Sequence, residues 1–374
     1  MRSSTSSRTC GDVPPGVTSL TWPQALGWRM RRQLLDPIGD EPVEGVVRRL
    51  GAVQAQHDAA TELSIRARRT SSEHAEVTQA LADGRLIKTF AFRGATHLMT
   101  AEDAGIYLAL RGSSRMWELP SWRAYYGLEP ADWPGLRGVV REALADGPLT
   151  RSELGAAVTA DRRFEHLGFA FGEGSGTLLK PLAWLGEMSF GLPRGRQSTF
   201  QRLDGNPRWN GVPDVEAAGP RAVEAYVGAY GPTTPEHLRY WLGSGLGAGG
   251  KRIQAWIDRL GDRLTTVDVD GTACLVPSED LEELIASSPS DTVRLLPAYD
   301  QWVLGPGTAD ATIVPSARRA LVSRGAAVAL VGGVVAGTWS STRPGIAVDW
   351  FPEAGRQPRD VVESEIARVG ALLG

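Results

Sequence analysis

Apolar residues recur at helical spacing in "VEGVVRRL", and a helix is predicted over Val43 to Val53. It follows a first helix in "TWPQALGWRMRRQLL" and precedes a third in "SSEHAEVTQALADG", where serine supplies an N-cap signal. The pattern then changes. In "RLIKTFAFRGATHLMT", Leu86, Ile87, Phe90 and Phe92 flank a turn at Arg93-Gly94, which reads as a β-hairpin. Three helices followed by a hairpin is the winged-helix plan, a variant of helix-turn-helix.

The plan recurs twice. In "VVREALADGPLTRSELGAAV" a helix ends near Asp146-Gly147 and another starts with Thr150 as N-cap, with Glu153 at capping-box spacing. "GSGTLLKPLAWLGEMSFGLPRGRQSTFQRL" adds a helix and a hairpin around "GLPRGRQ". "AVEAYVGAYGPTTPEHLRYWLG" repeats the helix, Gly-Pro, Thr, helix phrase, and "GGKRIQAWIDRLGDRLTTVDVDGTACLVP" supplies a helix and alternating strands. The turn-rich "WELPSWRAYYGLEPADWPG" and "DGNPRWNGVPDVEAAGP" read as connectors, and the stretches after Val293 are strand-rich. The prediction is an α+β chain of tandem winged-helix domains. A disordered tail covers 1–19, winged helices cover 20–115, 130–204 and 218–280, and a β-rich domain covers 290–374.

Composition narrows the class. The chain has 374 residues, 42% hydrophobic and 22% charged, ordinary values for globular domains. No apolar run reaches membrane-spanning length, and the polar start lacks a secretory apolar segment, so cytoplasm is the expected compartment. With only Cys10 and Cys274, neither a disulfide framework nor a cysteine zinc site is expected. No phosphate loop, dinucleotide fingerprint or H-x-E motif appears, so no cofactor and no metal are expected. Nothing resembles a heptad seam, and a monomer is expected.

A net charge of −3 does not announce a nucleic-acid partner. Charge is uneven, however: arginines cluster as "RMRR", "VVRRL" and "IRARR", and of forty basic residues only Lys88, Lys180 and Lys251 are lysine. The arginine fork suits phosphate, although a GC-rich genome gives the same bias. Arg66 in the third cluster and Arg93 at the hairpin tip are the phosphate candidates.

The chemistry turns on "LGAVQAQHDAA", where Gln54 and Gln56 stand one residue apart at the predicted helix end. Residues two apart do not share a helix face. For both amides to converge, the helix must end or distort around Ala55. Were it to continue, Gln54 and Asp58 would share a face, and Asp58 is the alternative base. Exposed glutamines facing water, with Asp58 as a loop carboxylate or cap, are the plainer alternative. His97 on the hairpin either touches the DNA or is satisfied within the hairpin.

The phrases "LGAVQAQ", "IRARR", "IKTFAFRGATHLMTAEDAGIYLALR", "AYGPTTPEHLRYWLG", "LLPAYDQWVLG" and "VVAGTW", in this order, resemble the AlkZ/YcaQ-like DNA glycosylases from about residue 20 onward. The resemblance implies a tandem winged-helix fold, a catalytic Gln-x-Gln at Gln54 and Gln56, and double-stranded DNA bearing alkylated purines as partner. Asp300 and Gln301 fall in a family-like phrase, either approaching DNA or tying a strand end to its neighbour. The implied reaction is hydrolysis of the N-glycosidic bond of bulky N7-alkylguanine, in repair or in self-resistance to an alkylating antibiotic. The rivals are a winged-helix regulator without catalysis and a protein-interaction scaffold.

Overall fold

The computed structural model describes residues 17–172, 176–342 and 345–374. The tail expected over 1–19 lies outside them as far as residue 16. At its end, β1 (Ser19–Leu20) pairs in parallel with Asp268 and Val269.

The first segment opens with α1 (Trp22–Arg32), capped where the Thr21 hydroxyl accepts from the Gln24 amide at 3.4 Å. In α2 (Val43–Leu50), Val43, Val46, Val47 and Leu50 fall on one buried stripe. The helix stops three residues earlier than its periodicity suggests, because Gly51 takes φ +74 and reverses the chain. Val53 and Gln54 then form a short strand, β2, not a helix end. Next come α3 (Asp58–Arg66) and α4 (Glu76–Ala82). The serine cap expected for the latter is not made: its N-cap is Ala75, in the left-handed region, with no side-chain bond. The expected hairpin is present as β3 (Leu86–Phe90) and β4 (Thr96–Thr100), with Phe92–Gly94 as the turn. α5 (Ala104–Ser113) follows.

The first connector contains a helix of its own, α6 (Pro120–Tyr126). The second segment comprises α7 (Trp133–Ala143), β5 (Leu149–Thr150), α8 (Arg151–Thr159), α9 (Gly168–Gly172), α10 (Leu179–Trp184), β6 (Met188–Arg194) and β7 (Gln197–Arg202). Its capping box is formed as read, with both Thr150–Glu153 bonds present. The two hairpins are not separate. They merge into one six-stranded sheet of order β2-β4-β3-β6-β7-β5, joined where Lys88 faces Phe190. Read from either edge, the order is the same: short strand, second hairpin strand, first hairpin strand.

A third segment repeats the order with α11 (Val215–Tyr230), a bridge from Thr233 to Leu275, α12 (Pro235–Leu238), α13 (Gly250–Leu260), β8 (Leu264–Val269) and β9 (Thr272–Pro277). The C-terminal part holds α14 (Leu281–Ala286), β10 (Val293–Leu296), α15 (Gln301–Leu304), α16 (Arg319–Ser323), β11 (Val328–Val331), β12 (Val334–Thr342) and β13 (Gly345–Trp350). Strands β10 to β13 form an antiparallel sheet in chain order. The terminal α17 (Arg359–Leu373) is absent from the sequence reading; its buried Glu365 accepts from the Leu295 amide at 3.0 Å.

One aromatic layer connects these parts. Phe92, in the first hairpin turn, lies 4.1 Å from Trp241 between ring centroids, and Trp241 packs on Tyr226 and Tyr230 of α11. The Tyr230 hydroxyl donates to the Leu50 carbonyl at 2.8 Å, and that of Tyr226 to Gly305 at 3.1 Å. The end of α2, and with it the glutamine strand, is thereby fixed against two distant segments.

Candidate active site

The backbone answers the spacing puzzle directly. Gln54 pairs in antiparallel register with His97, and the Ala55 amide donates to the Thr96 carbonyl at 2.8 Å. In extended backbone, residues two apart point to the same face. Ala55 therefore turns inward and is buried, while Gln54 and Gln56 emerge together. Their amides meet: Gln54 Nε2 donates to Gln56 Oε1 at 2.9 Å. The strand is locked from below by the Thr61 hydroxyl, which donates to the Gln54 carbonyl at 2.9 Å. Asp58 is not on their face. It starts α3, its side chain is 90% exposed, and it pairs with the Lys88 ammonium at 2.8 Å.

The two amides line a cleft of about 310 Å³, at the small end of ligand-pocket sizes. Three segments build it. Phe92, Arg93 and His97 come from the first hairpin, Tyr240 and Trp241 from the third segment, and Tyr299 and Gln301 from the C-terminal part. A larger cleft of about 730 Å³ opens around Arg48, Tyr107 and Arg221. Most of its arginines are paired with carboxylates, Arg48 with Glu102 and Asp103, Arg32 with Asp280 and Arg263 with Glu224. The smaller cleft is the one that holds the Gln54 and Gln56 amides.

His97 is 5% exposed, and its Nδ1 lies 3.1 Å from the Ala95 carbonyl, which makes Nδ1 the protonated nitrogen. Burial above all, opposed by the Ala95 bond and aided by the Arg93 charge, lowers its pKa to about 4. It faces the cleft as a neutral imidazole. Arg93 stays exposed at the turn with its guanidinium 4.4 Å from the Tyr240 ring centroid. The left-handed φ of +52 at Arg93 holds it there.

Asp300 and Gln301 part company. Asp300 is fully enclosed, bound by both Arg68 guanidinium nitrogens at 2.7 and 2.8 Å and by the Ser64 hydroxyl at 2.5 Å. It also accepts from the Trp302 amide as cap of α15. This ties α3 and the residue Arg68 beyond it to the start of α15 in the C-terminal part. Gln301 is also buried, yet both polar atoms of its amide lack a protein partner, and it borders the cleft. Arg66 is away from the cleft, bonded to Ser72 and near His74 and Glu62. Tyr240, Trp241 and Tyr299 escaped the sequence reading as cleft residues, although they lie inside its "RYWLG" and "AYDQW" phrases. Tyr299 stacks on His57 at 5.9 Å and adopts φ +61.

Chemically the cleft offers neutral amides, a neutral imidazole and one cation at the rim. It can orient water and stabilise positive charge nearby; among the described residues no carboxylate lines it. Among the described residues no helix is long and apolar enough to cross a membrane.

This arrangement on this fold defines a class. The chain matches the model of the DNA glycosylase AlkZ-like family over residues 47–372 and belongs to that family of DNA-binding repair glycosylases. It is 37% identical over 361 residues to an interstrand DNA cross-link repair glycosylase of Streptomyces sahachiroi, covering 95% of this chain and 97% of the relative. The solved structure of Streptomyces sahachiroi DNA glycosylase AlkZ superposes with a TM-score of 0.89 at 36% identity, covering 94% of this chain and 96% of that one.

Proposed function

We propose that this protein excises bulky N7-alkylguanine from double-stranded DNA by hydrolysing the N-glycosidic bond, with Gln54 and Gln56 orienting the attacking water. The observation that carries the proposal is the amide–amide bond at the mouth of the cleft. It leaves Gln54 Oε1 as a fixed acceptor and Gln56 Nε2 as a fixed donor. An amide is no base at neutral pH. Alkylation at N7 makes the base cationic, so it departs without protonation. What remains is to hold a water near C1′ and to face the oxocarbenium-like sugar with a carbonyl dipole. Positioning supplies several kcal/mol of barrier reduction, and a preorganised dipole roughly 2.7–4 kcal/mol. The neutral His97 adds no positive charge against the developing cation.

The three repeated segments are read as winged helices over 20–115, 130–204 and 218–280, with a β-rich domain over 290–374. Arg93 meets a phosphate at the cleft rim, and Gln301 offers its unsatisfied amide to the lesion or to water. The protein acts as a monomer in the cytoplasm, either in cross-link unhooking, the repair named for the similar Streptomyces enzyme, or in protection from a self-made alkylating agent.

The test is a duplex carrying one N7-alkylguanine, treated with alkali to cut abasic sites. Gln54→Ala and Gln56→Ala are each expected to slow cutting by a hundredfold or more while duplex binding persists. Asp58→Asn is expected to stay within a few-fold of the parent. Undiminished cutting by both alanine variants refutes the assignment. Failure of the parent on every N7 adduct, with duplex binding intact, favours a regulator.

A further inference from the structure

Beside the hairpin turn two cations stand without a counter-charge among the described residues. Lys180 is in the first turn of α10, and Arg111 is in the last turn of α5. The Arg111 guanidinium lies 4.4 Å from the ring centroid of Trp184, one helical turn on from Lys180. Among the described residues, that guanidinium donates to the Met116 sulfur at 3.3 Å, and its buried Nε has no partner. The Lys180 ammonium is 5.7 Å from the Phe90 centroid and overhangs Gly94, where a Cβ would come within 3.4 Å of Nζ.

Among the described residues, neither cation forms an ion pair. Arg48, Arg85, Arg137 and Arg141, by contrast, each hold a carboxylate. Burial lowers the pKa of Lys180, and the Arg111 charge lowers it further; burial alone lowers that of Arg111. Bringing like charges together in a half-buried place is unfavourable until an anion joins them. The neighbouring turn residues Arg93 and Ala95 border the glutamine cleft, so a strand lying across the turn would reach both.

We propose that Lys180 and Arg111 form a phosphate clasp that grips a backbone phosphodiester of duplex DNA where the strand leaves the glutamine cleft. The second segment thus takes hold of the same strand on which the first acts. The ammonium supplies rotatable donors, and the Arg111 fork, already stacked on Trp184, loses little freedom on binding. The clasp rests on the reading of the protein as DNA-acting, and it reads no bases.

Binding of an undamaged, fluorescently labelled duplex, followed by anisotropy across a salt series, tests it without requiring excision. Loss of one phosphate contact lowers the slope of log affinity against log salt by about 0.9. Lys180→Ala is expected to show that fall and weaker binding on any sequence, and Lys180→Arg to restore both. Arg111→Gln is expected to act alike, with thermal melting to confirm folding, since it also loses the Trp184 contact. Lys180→Ala, half-exposed, carries the decision. Arg163→Gln removes an exposed arginine already paired with Asp161 and serves as control. A parental slope for Lys180→Ala, or an equal fall for the control, overturns the clasp alone. A parent that binds no duplex overturns the DNA reading as well.

Discussion

The first and second segments each start a helix, α3 and α8, from the same strand position and do opposite things there. In the second, Thr150 pairs with Thr199 and immediately caps α8, with Glu153 closing the box. In the first, Gln54 pairs with His97, and three residues, Ala55 to His57, intervene before α3 begins. Its N-cap, His57, makes no side-chain capping bond. The third segment sides with the second, Thr234 capping α12. Capping is worth about 1 kcal/mol. The first segment forgoes it and gains an extended stretch that presents two amides side by side. This departure from the local rule, against two obedient copies, is what supports the proposed role of the two glutamines.

The comparison can be broken at several points. The largest effect is expected from the buried pair supporting the first segment. Arg68→Ala leaves Asp300 charged and enclosed, and should cost about 3–5 kcal/mol in thermal or denaturant unfolding. A loss below about 1 kcal/mol would mean that water reaches the pair.

Next is the double variant of Gln54 and Gln56. If the two act as one water-holding unit, the double alanine variant should be little slower than the worse single one. Fully multiplicative losses would separate their roles.

His97 should reveal itself by pH. Its folded pKa of about 4 lies below the ordinary 6.5, so the folded state binds fewer protons than the unfolded chain between those values. Stability present above pH 6.5 should fall, on the order of 3 kcal/mol in total, as pH drops toward 4. His97→Asn should flatten that window in melts across pH. An unchanged profile would place the titration elsewhere.

Smaller again, Thr150→Ala should cost about 1 kcal/mol and leave excision untouched, since that cap serves only the fold. Smallest, His57→Ser should give the first segment the cap it lacks, gaining roughly 0.5 kcal/mol in melting. If it also slows excision, the uncapped helix start is itself needed by the site.

Legibility followed distance along the chain. The hairpins, the Thr150 cap and the repeated helix–Gly-Pro–Thr phrase are local, and all stand where their residues suggest. The end of α2 was open to a local reading too: Gly51 stops the helix at φ +74, but the apolar spacing of Ala52 and Val53 masks the stop. The serines before α4 are equally local and do not cap, because Ala75 turns the chain there. Asp300 is different in kind. Its partner Arg68 lies 232 residues away, and no pattern around either reveals the other. The cleft walls are assembled the same way: Trp241, next to Tyr240, packs on Tyr226 and Tyr230 of α11, and Tyr299 stacks on His57. The Gln-x-Gln pair was visible as residues, while its geometry had to wait for the strand register with His97.

The palindromic six-stranded sheet has a mechanical consequence. Because β3 and β6 are hydrogen-bonded neighbours, neither hairpin can swing by itself without tearing the seam at Lys88 and Phe190. The two hairpins therefore present one continuous sheet and not two independently moving wings.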